Sequence, residues 1–310
     1  MFKSAFSLAF VIVALPAAAA PVYVALGDSI TRGETDLNYV PSNGDQGYVS
    51  RVADTLAASN GGVRPRVVNL AIDGETASSF QTGAGRTPPV VGRTDVPLAL
   101  QNLNYTGQPA IPQADFFTSN AKSIVSVGDT ISTISITLGF NELGAIATRP
   151  DALKLLVPTL ATYRATQEGN LLYIKGVAPS AKLYLVNYYN PFPADPTNPA
   201  GAFFGLAGPQ LDAIIKSLAA EFHAYYVDTA TPFKGHEAAY TYMAAQPHGF
   251  YRDGLYPGIE PIGNVHPNDT GYGVIAAQFA SAKIPAPEPA TVALLGLGLV
   301  GLTLSRYRHI

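Results

Sequence analysis

The chain has 310 residues, of which 47% are hydrophobic and 13% charged, and its formal net charge is −3. That length supports one large domain with a sizeable core or two small ones, and Lys and Arg are too scattered to form the basic stripe that nucleic-acid binding requires. The chain has no cysteine, which excludes disulfide frameworks, thiolate nucleophiles and Cys-ligated zinc.

In chain order, Lys3, the apolar run 5–15 and the small residues at 17–20 have the three-part layout of a secretory signal peptide, with cleavage expected near Ala19. A β-branched apolar run predicts a first strand at 22–26, followed by Gly27, Asp28, Ser29 and Ile30. A serine on that turn faces a ligand crevice or caps the next segment, and alone it fits either role. Val49, Val52, Ala53 and Leu56 recur at helical spacing. A second strand at 66–70 runs into Asn69, Leu70, Ala71, Ile72, Asp73 and Gly74, where a glycine lets a backbone N–H approach a reacting atom.

The segment 81–112 is rich in Gly, Pro and Asn and predicts a loop, as do 190–204 and 231–263. Loops this long in a compact domain are functional or mobile. A third strand at 132–138 ends in Leu138, Gly139, Phe140, Asn141 and Glu142, where the Asn141 amide points at the crevice or caps a helix. A fourth strand at 182–187 leads into Tyr188, Tyr189, Asn190 and Pro191. Leu211, Ile214, Ile215 and Leu218 mark another helix, and 225–228 a fifth strand. Val265, His266, Pro267, Asn268, Asp269, Thr270 and Gly271 then precede a helix at 272–282, with Val274, Ile275 and Phe279 inward.

Apolar strands alternating with helices argue for a parallel sheet covered on both faces, an α/β fold. Ligands in such folds bind beyond the carboxyl ends of the strands. Ser29, Gly74, Asn141 and His266 each follow a predicted strand or a late loop, so the fold would gather them at one edge. The other histidines, at positions 223, 236, 248 and 309, lack metal-site spacing. Gly296, Gly298 and Gly301 match the dinucleotide-binding glycine pattern, but only nine residues follow and no βαβ unit can be completed. The stretch from Gly27 to Gly33 lacks that pattern altogether.

The four segments around Ser29, Gly74, Asn141 and His266 resemble blocks I, II, III and V of the SGNH (GDSL-type) hydrolases, over nearly the whole span from 22 to 282. The resemblance implies a three-layer α/β/α fold around a flavodoxin-like parallel five-stranded sheet. It also implies a serine ester hydrolase without metal or organic cofactor. Ser29 would be the nucleophile and His266 the general base. The backbone N–H groups of Ser29 and Gly74 and the side-chain amide of Asn141 would form the oxyanion hole. Substrates open under this reading are small-molecule, lipid and acetylated-glycan esters.

One departure stands out. The family carries Asp three residues before its histidine, whereas position 263 here is Gly. Loss of the orienting acid from a Ser-His-Asp triad costs about 10⁴ in turnover. Three arrangements are open: Glu260 or Asp253 reaches in from the preceding loop, a backbone carbonyl accepts the Nδ1 proton, or activity is weakened or lost. The last would leave a surface module of this fold that binds extracellular polysaccharide or acyl chains.

At the far end, Pro287, Glu288 and Pro289 precede an apolar stretch at 290–304 and then Arg306 and Arg308. Fifteen helical residues span about 22 Å against a hydrocarbon core of roughly 30 Å. This layout resembles the PEP-CTERM sorting signal of Gram-negative bacteria. It implies export to the periplasm, cell surface or medium, transient membrane association through the tail, and tail removal by an exosortase-like protease. The expected organisation is a signal peptide at 1–20, a hydrolase domain at 21–284 and a sorting tail at 285–310.

Overall fold

The computed structural model describes residues 19–33, 47–83, 112–198, 200–245 and 263–286. The expected leader before residue 19, the tail from 287, most of the 81–112 and 231–263 loops, Asp253 and Glu260 lie outside the described residues.

Five strands form one parallel sheet in the order β2-β1-β3-β4-β5: β1 (Pro21–Gly27), β2 (Arg66–Asn69), β3 (Thr130–Thr137), β4 (Lys182–Val186) and β5 (Tyr225–Val227). This is the flavodoxin-like order, whose direction reverses between β1 and β3 and opens a crevice beyond their carboxyl ends. The five strands fall within about two residues of the expected ones.

The helices, in chain order, are α1 (Ser29–Arg32), α2 (Tyr48–Ser59), α3 (Ala77–Thr82), α4 (Gln113–Ser126), α5 (Phe140–Ala147), α6 (Ala152–Val177), α7 (Ala200–Glu221), α8 (Ala230–Phe233), α9 (Glu237–Tyr240) and α10 (Asp269–Ser281). The 190–204 segment is not all loop. It holds a 3₁₀ turn at Phe192–Ala194 and the start of α7.

Strand alternation sorts the core into two layers. Val22, Val24 and Leu26 of β1, with Ile134 and Ile136 of β3, meet Phe117 of α4, Leu160 of α6 and Leu211 of α7. Tyr23 and Ala25, on the opposite face, meet Val49 and Val52 of α2 and Tyr272, Ile275 and Phe279 of α10. Each fully buried side chain of this kind contributes about 1.5–3 kcal/mol. The second face of β3 is polar, because Thr133, Ser135 and Thr137 are buried there. Two of these hydroxyls are matched on that face: Tyr23 shares a 2.7 Å hydrogen bond with Ser135, and the Tyr48 hydroxyl bridges Thr137 at 3.0 Å and Thr31 at 2.9 Å. Among the described residues, no helix is long and apolar enough to cross a membrane.

Candidate active site

The serine turn starts at Gly27, whose φ of 138° disfavours any side chain; a Cβ there would lie 2.5 Å from the carbonyl oxygen of Thr137. Gln113 of α4, wholly buried, caps this distorted strand end. Its Oε1 accepts from the Gly27 N–H at 2.8 Å and its Nε2 donates to the Gly27 carbonyl at 2.8 Å. Asp28 then caps α1, with Oδ1 accepting from the Ile30 N–H at 3.0 Å. Ser29 is the first residue of that helix, half-buried at the crevice.

The segment after β2 is laced to this turn. The Ile72 N–H donates to the Gly27 carbonyl at 2.9 Å, Asn69 Nδ2 donates to the Thr31 carbonyl at 2.9 Å, and buried Arg32 pairs with Asp73 at 2.6 Å. A turn closed by the Glu75 N–H on the Ile72 carbonyl at 3.2 Å places Gly74 third, with φ of 68°. That is the position where a positive φ suits glycine. Among the described residues, neither the Ser29 N–H nor the Gly74 N–H is given to a protein acceptor.

Asn141, on the first turn of α5, reaches the same crevice from β3. Its Nδ2 donates to the Glu75 carbonyl at 2.9 Å and makes a second, long hydrogen bond to Asp28 Oδ2 at 3.5 Å. One amide hydrogen is therefore committed to the Gly74 turn, which fixes the direction of the other.

His266 arrives from the opposite side on a pinned loop. The Tyr242 N–H donates to the His266 carbonyl at 3.0 Å, Asn268 Nδ2 donates to the Ala239 carbonyl at 2.7 Å, and the Tyr189 hydroxyl donates to the Val265 carbonyl at 2.6 Å. Asn268 also caps α10, accepting from the Gly271 N–H at 3.0 Å. His266 is 1% exposed, and its Nε2 lies 2.8 Å from Ser29 Oγ across 237 positions of sequence.

The tautomer follows from Asn264. Asn264 Oδ1 accepts from the backbone N–H of His266 at 3.1 Å, so it is the carbonyl oxygen of the amide. The same oxygen lies 2.9 Å from His266 Nδ1, and only a protonated Nδ1 can bond to it. In the neutral ring Nε2 then carries the lone pair and can accept a hydrogen bond from the Ser29 hydroxyl.

Three carboxyl groups lie behind the crevice. Asp28 is 1% exposed, and burial pushes its carboxyl up to about 7, opposed by the hydrogen bond from Tyr188 and by backbone N–H groups. The Glu142 carboxyl is likewise pushed up to about 7 by burial, although its Oε1 accepts from the Ala77 N–H at 2.5 Å. Glu75 is fully buried, and its Oε2 accepts from Gln113 Nε2 at 3.3 Å. Among the described residues, no group of three or more His, Asp or Glu could hold a metal ion.

The structure thus brings Ser29, Gly74, Asn141 and His266 to one crevice at the reversal point of the sheet, whereas Asp253 and Glu260 lie outside the described residues. Sequence reasoning missed Asn264, Tyr188 and Gln113. Asn264, two residues before the histidine, was legible as an Asx residue able to bond the backbone N–H two positions on. Gln113 carried no local signal, since its partner lies 86 positions away.

A model of the GDSL-like lipase/acylhydrolase family matches residues 25–274, and a PEP-CTERM protein-sorting motif matches residues 285–308. The chain is similar in structure to the lipase Lip_vut3 from a goat rumen metagenome, at 18% identity and a TM-score of 0.54, over 87% of this chain and 100% of that one. It is also similar to a protein described as a GDSL-like lipase from Parabacteroides merdae, at 15% identity and a TM-score of 0.50, over 85% of this chain and 95% of that one. At these identities the likeness is one of fold. A comparison with curated proteins finds no match.

Proposed function

The chain belongs to the GDSL-like lipase/acylhydrolase family, a family of ester hydrolases, and from that premise we propose that it cleaves carboxylic esters through an acyl-serine intermediate on Ser29. The observation that carries the proposal is the 2.8 Å contact between Ser29 Oγ and His266 Nε2, made by an imidazole whose other nitrogen is bonded to Asn264.

In the first step His266 Nε2 takes the Ser29 proton as Oγ attacks the ester carbonyl carbon. The carbonyl π electrons move to oxygen, and the oxyanion is met by the N–H groups of Ser29 and Gly74 and the second amide hydrogen of Asn141. Each such fixed donor contributes roughly 2.7–4 kcal/mol to the transition state. The imidazolium then protonates the departing alcohol. Water, deprotonated by the same nitrogen, releases the acid and restores Ser29.

Asn264 is a positioning residue under this reading. An amide at the Nδ1 side of a catalytic histidine fails when its NH₂ faces the ring, because that favours the wrong tautomer. Here the His266 backbone N–H holds the amide oxygen toward the ring, so this contact by itself favours the productive tautomer. That neutral partner supports the catalytic reading over a binding module. It leaves the imidazolium without charge stabilisation from this residue, a loss that esters tolerate better than amides do.

Short acyl, lipid and acetylated-glycan esters all fit this chemistry. The sorting motif marks export in Gram-negative bacteria. We place the hydrolase unit at 21–284 and assign transient membrane association to the 285–310 tail, with release by an exosortase-like protease. The test is hydrolysis of p-nitrophenyl acetate by wild type and Ser29→Ala: the variant should lose turnover while keeping its circular-dichroism spectrum and melting point. Wild-type turnover in the variant would remove Ser29 from the mechanism.

A further inference from the structure

Above pH 7, where Asp28 is mostly ionised despite its burial, its carboxylate poses a problem for the oxyanion hole. It is buried next to the nucleophile, and its Oδ2 accepts only a long, weak hydrogen bond from Asn141 Nδ2, at 3.5 Å. Charge-assisted hydrogen bonds settle at about 2.7–2.9 Å and are roughly twice as strong as neutral ones. A carboxylate free to turn would therefore close on the second amide hydrogen of Asn141. That hydrogen is the one the substrate oxyanion needs, because the first is held by the Glu75 carbonyl at 2.9 Å.

Tyr188 prevents this closure. Its hydroxyl donates to the same Oδ2 at 2.6 Å, across 160 positions of sequence. Its ring is set by packing against Phe140, the residue before Asn141, with centroids 5.6 Å apart. The other carboxylate oxygen is fixed by the Ile30 N–H at 3.0 Å. The carboxyl group is thus clamped at both oxygens, and the clamp joins the ends of β1, β3 and β4.

We propose that Tyr188 is a positioning residue of the oxyanion hole, which by donating to Asp28 Oδ2 keeps that carboxylate's bond with Asn141 long and weak, so that the second amide hydrogen can pass to the substrate oxygen. This rests on the ester-hydrolase reading given above. It assigns Tyr188 no contact with substrate, so its removal acts on the transition state rather than on ground-state binding.

The experiment is a double-mutant cycle on p-nitrophenyl acetate, run more than one pH unit above the value of about 7 to which burial raises Asp28, with wild type, Tyr188→Phe, Asp28→Asn and the double variant, and with Ser29→Ala as control. Losing a whole oxyanion donor costs about 10²–10³ in kcat, so partial diversion of one should lower kcat of Tyr188→Phe about tenfold, with KM within about twofold of wild type. In the Asp28→Asn background the factor should shrink below about twofold, because a neutral amide pulls far less on Asn141. Thermal melting of all four proteins separates these effects from unfolding. Should Tyr188→Phe melt below the assay temperature, wild-type chain carrying 3,5-difluorotyrosine at position 188, a stronger donor of the same shape, should retain full kcat; a tenfold loss there overturns the proposal. So does wild-type kcat in Tyr188→Phe, or a loss that persists unchanged in the Asp28→Asn background. Those outcomes with an inactive Ser29→Ala refute the clamp alone, whereas an active Ser29→Ala refutes the esterase mechanism itself.

Discussion

His266 and Asn264 are joined twice: one amide oxygen accepts both the backbone N–H of His266, at 3.1 Å, and its ring Nδ1, at 2.9 Å. The geometry makes the amide a substitute for a carboxylate in orientation but not in charge, and the two properties can be varied separately.

Asn264→Ala removes the orientation. Turnover of p-nitrophenyl acetate should fall by about 10²–10³, within the loss of about 10⁴ seen when a triad acid gives the wrong tautomer. Asn264→Asp keeps the acceptor and adds a charge. A negative partner favours the protonated imidazole, so the acid limb of the kcat/KM profile should move to higher pH while turnover is kept or raised. Unchanged turnover in Asn264→Ala, together with collapse in Glu260→Gln or Asp253→Asn, would show that an acid of the preceding loop orients the ring.

Asn141 is tied to the Gly74 turn by its 2.9 Å bond to the Glu75 carbonyl, and the proposed mechanism confines its role to the charged transition state. Asn141→Ala should lower kcat about 10²–10³ and leave KM within about threefold. Steady-state kinetics decide it: a rise in KM at constant kcat would make Asn141 a substrate-binding residue instead.

Burial holds Glu142 protonated to about 7, above its ordinary 4.5. A carboxyl raised on folding stabilises the native state below its unfolded pKa, and that contribution disappears as pH rises through the folded value. Urea unfolding should therefore show wild type losing stability between pH 5 and pH 8, by up to about 3 kcal/mol from this group. Glu142→Gln keeps an acceptor for the Ala77 N–H and should lessen that slope, leaving the part that the similarly raised Asp28 contributes. Parallel slopes in the two proteins would contradict the assignment.

Gln113 is the only side chain among the described residues seen to satisfy both polar groups of Gly27. Gln113→Leu preserves bulk but strands a buried N–H and weakens the support of a carbonyl, at about 1–3 kcal/mol per unsatisfied group. Chemical denaturation should show a loss of about 2–4 kcal/mol, with a larger proportional loss of activity because the serine turn hangs on this bond. A loss under about 0.5 kcal/mol, the range of an ordinary surface substitution, would refute the role.

The sheet was legible because its signal is local. Runs such as 22–26 and 182–187 are buried on both faces, so apolar content marks them without any long-range information. The polar face of β3 was not foreseeable in that way, since Thr133, Ser135 and Thr137 are acceptable only because hydroxyls from β1 and α2 meet two of the three. Helices α4 and α6 were missed for a related reason. Their buried residues do recur at helical spacing, but in α4 two of them are the small Ala114 and Ala121, and in α6 the stripe includes polar Gln167 and Asn170 while Pro158 reads as a break, so the apolar signal is weak and packing decides them. At the site, Ser29 and His266 stood out by motif, and the fold class followed from the strand–helix alternation. The Asn264 acceptor escapes the motif because the family places its acid three residues before the histidine, where Gly263 stands here. Tyr188 was visible only as part of a segment following a strand; its tie to Asp28 spans 160 positions and exists only in the folded chain.

The proposed mechanism stands on the activation of one hydroxyl, that of Ser29, by one imidazole. Labelling of the purified protein with a fluorophosphonate, followed by mass-spectrometric mapping, tests it most directly. The expected result is a single adduct on Ser29, abolished in Ser29→Ala and slowed at least about 10²-fold in His266→Ala, in line with the contribution of a general base. An active enzyme that takes the probe at another residue, or takes it at Ser29 equally fast without His266, would contradict it.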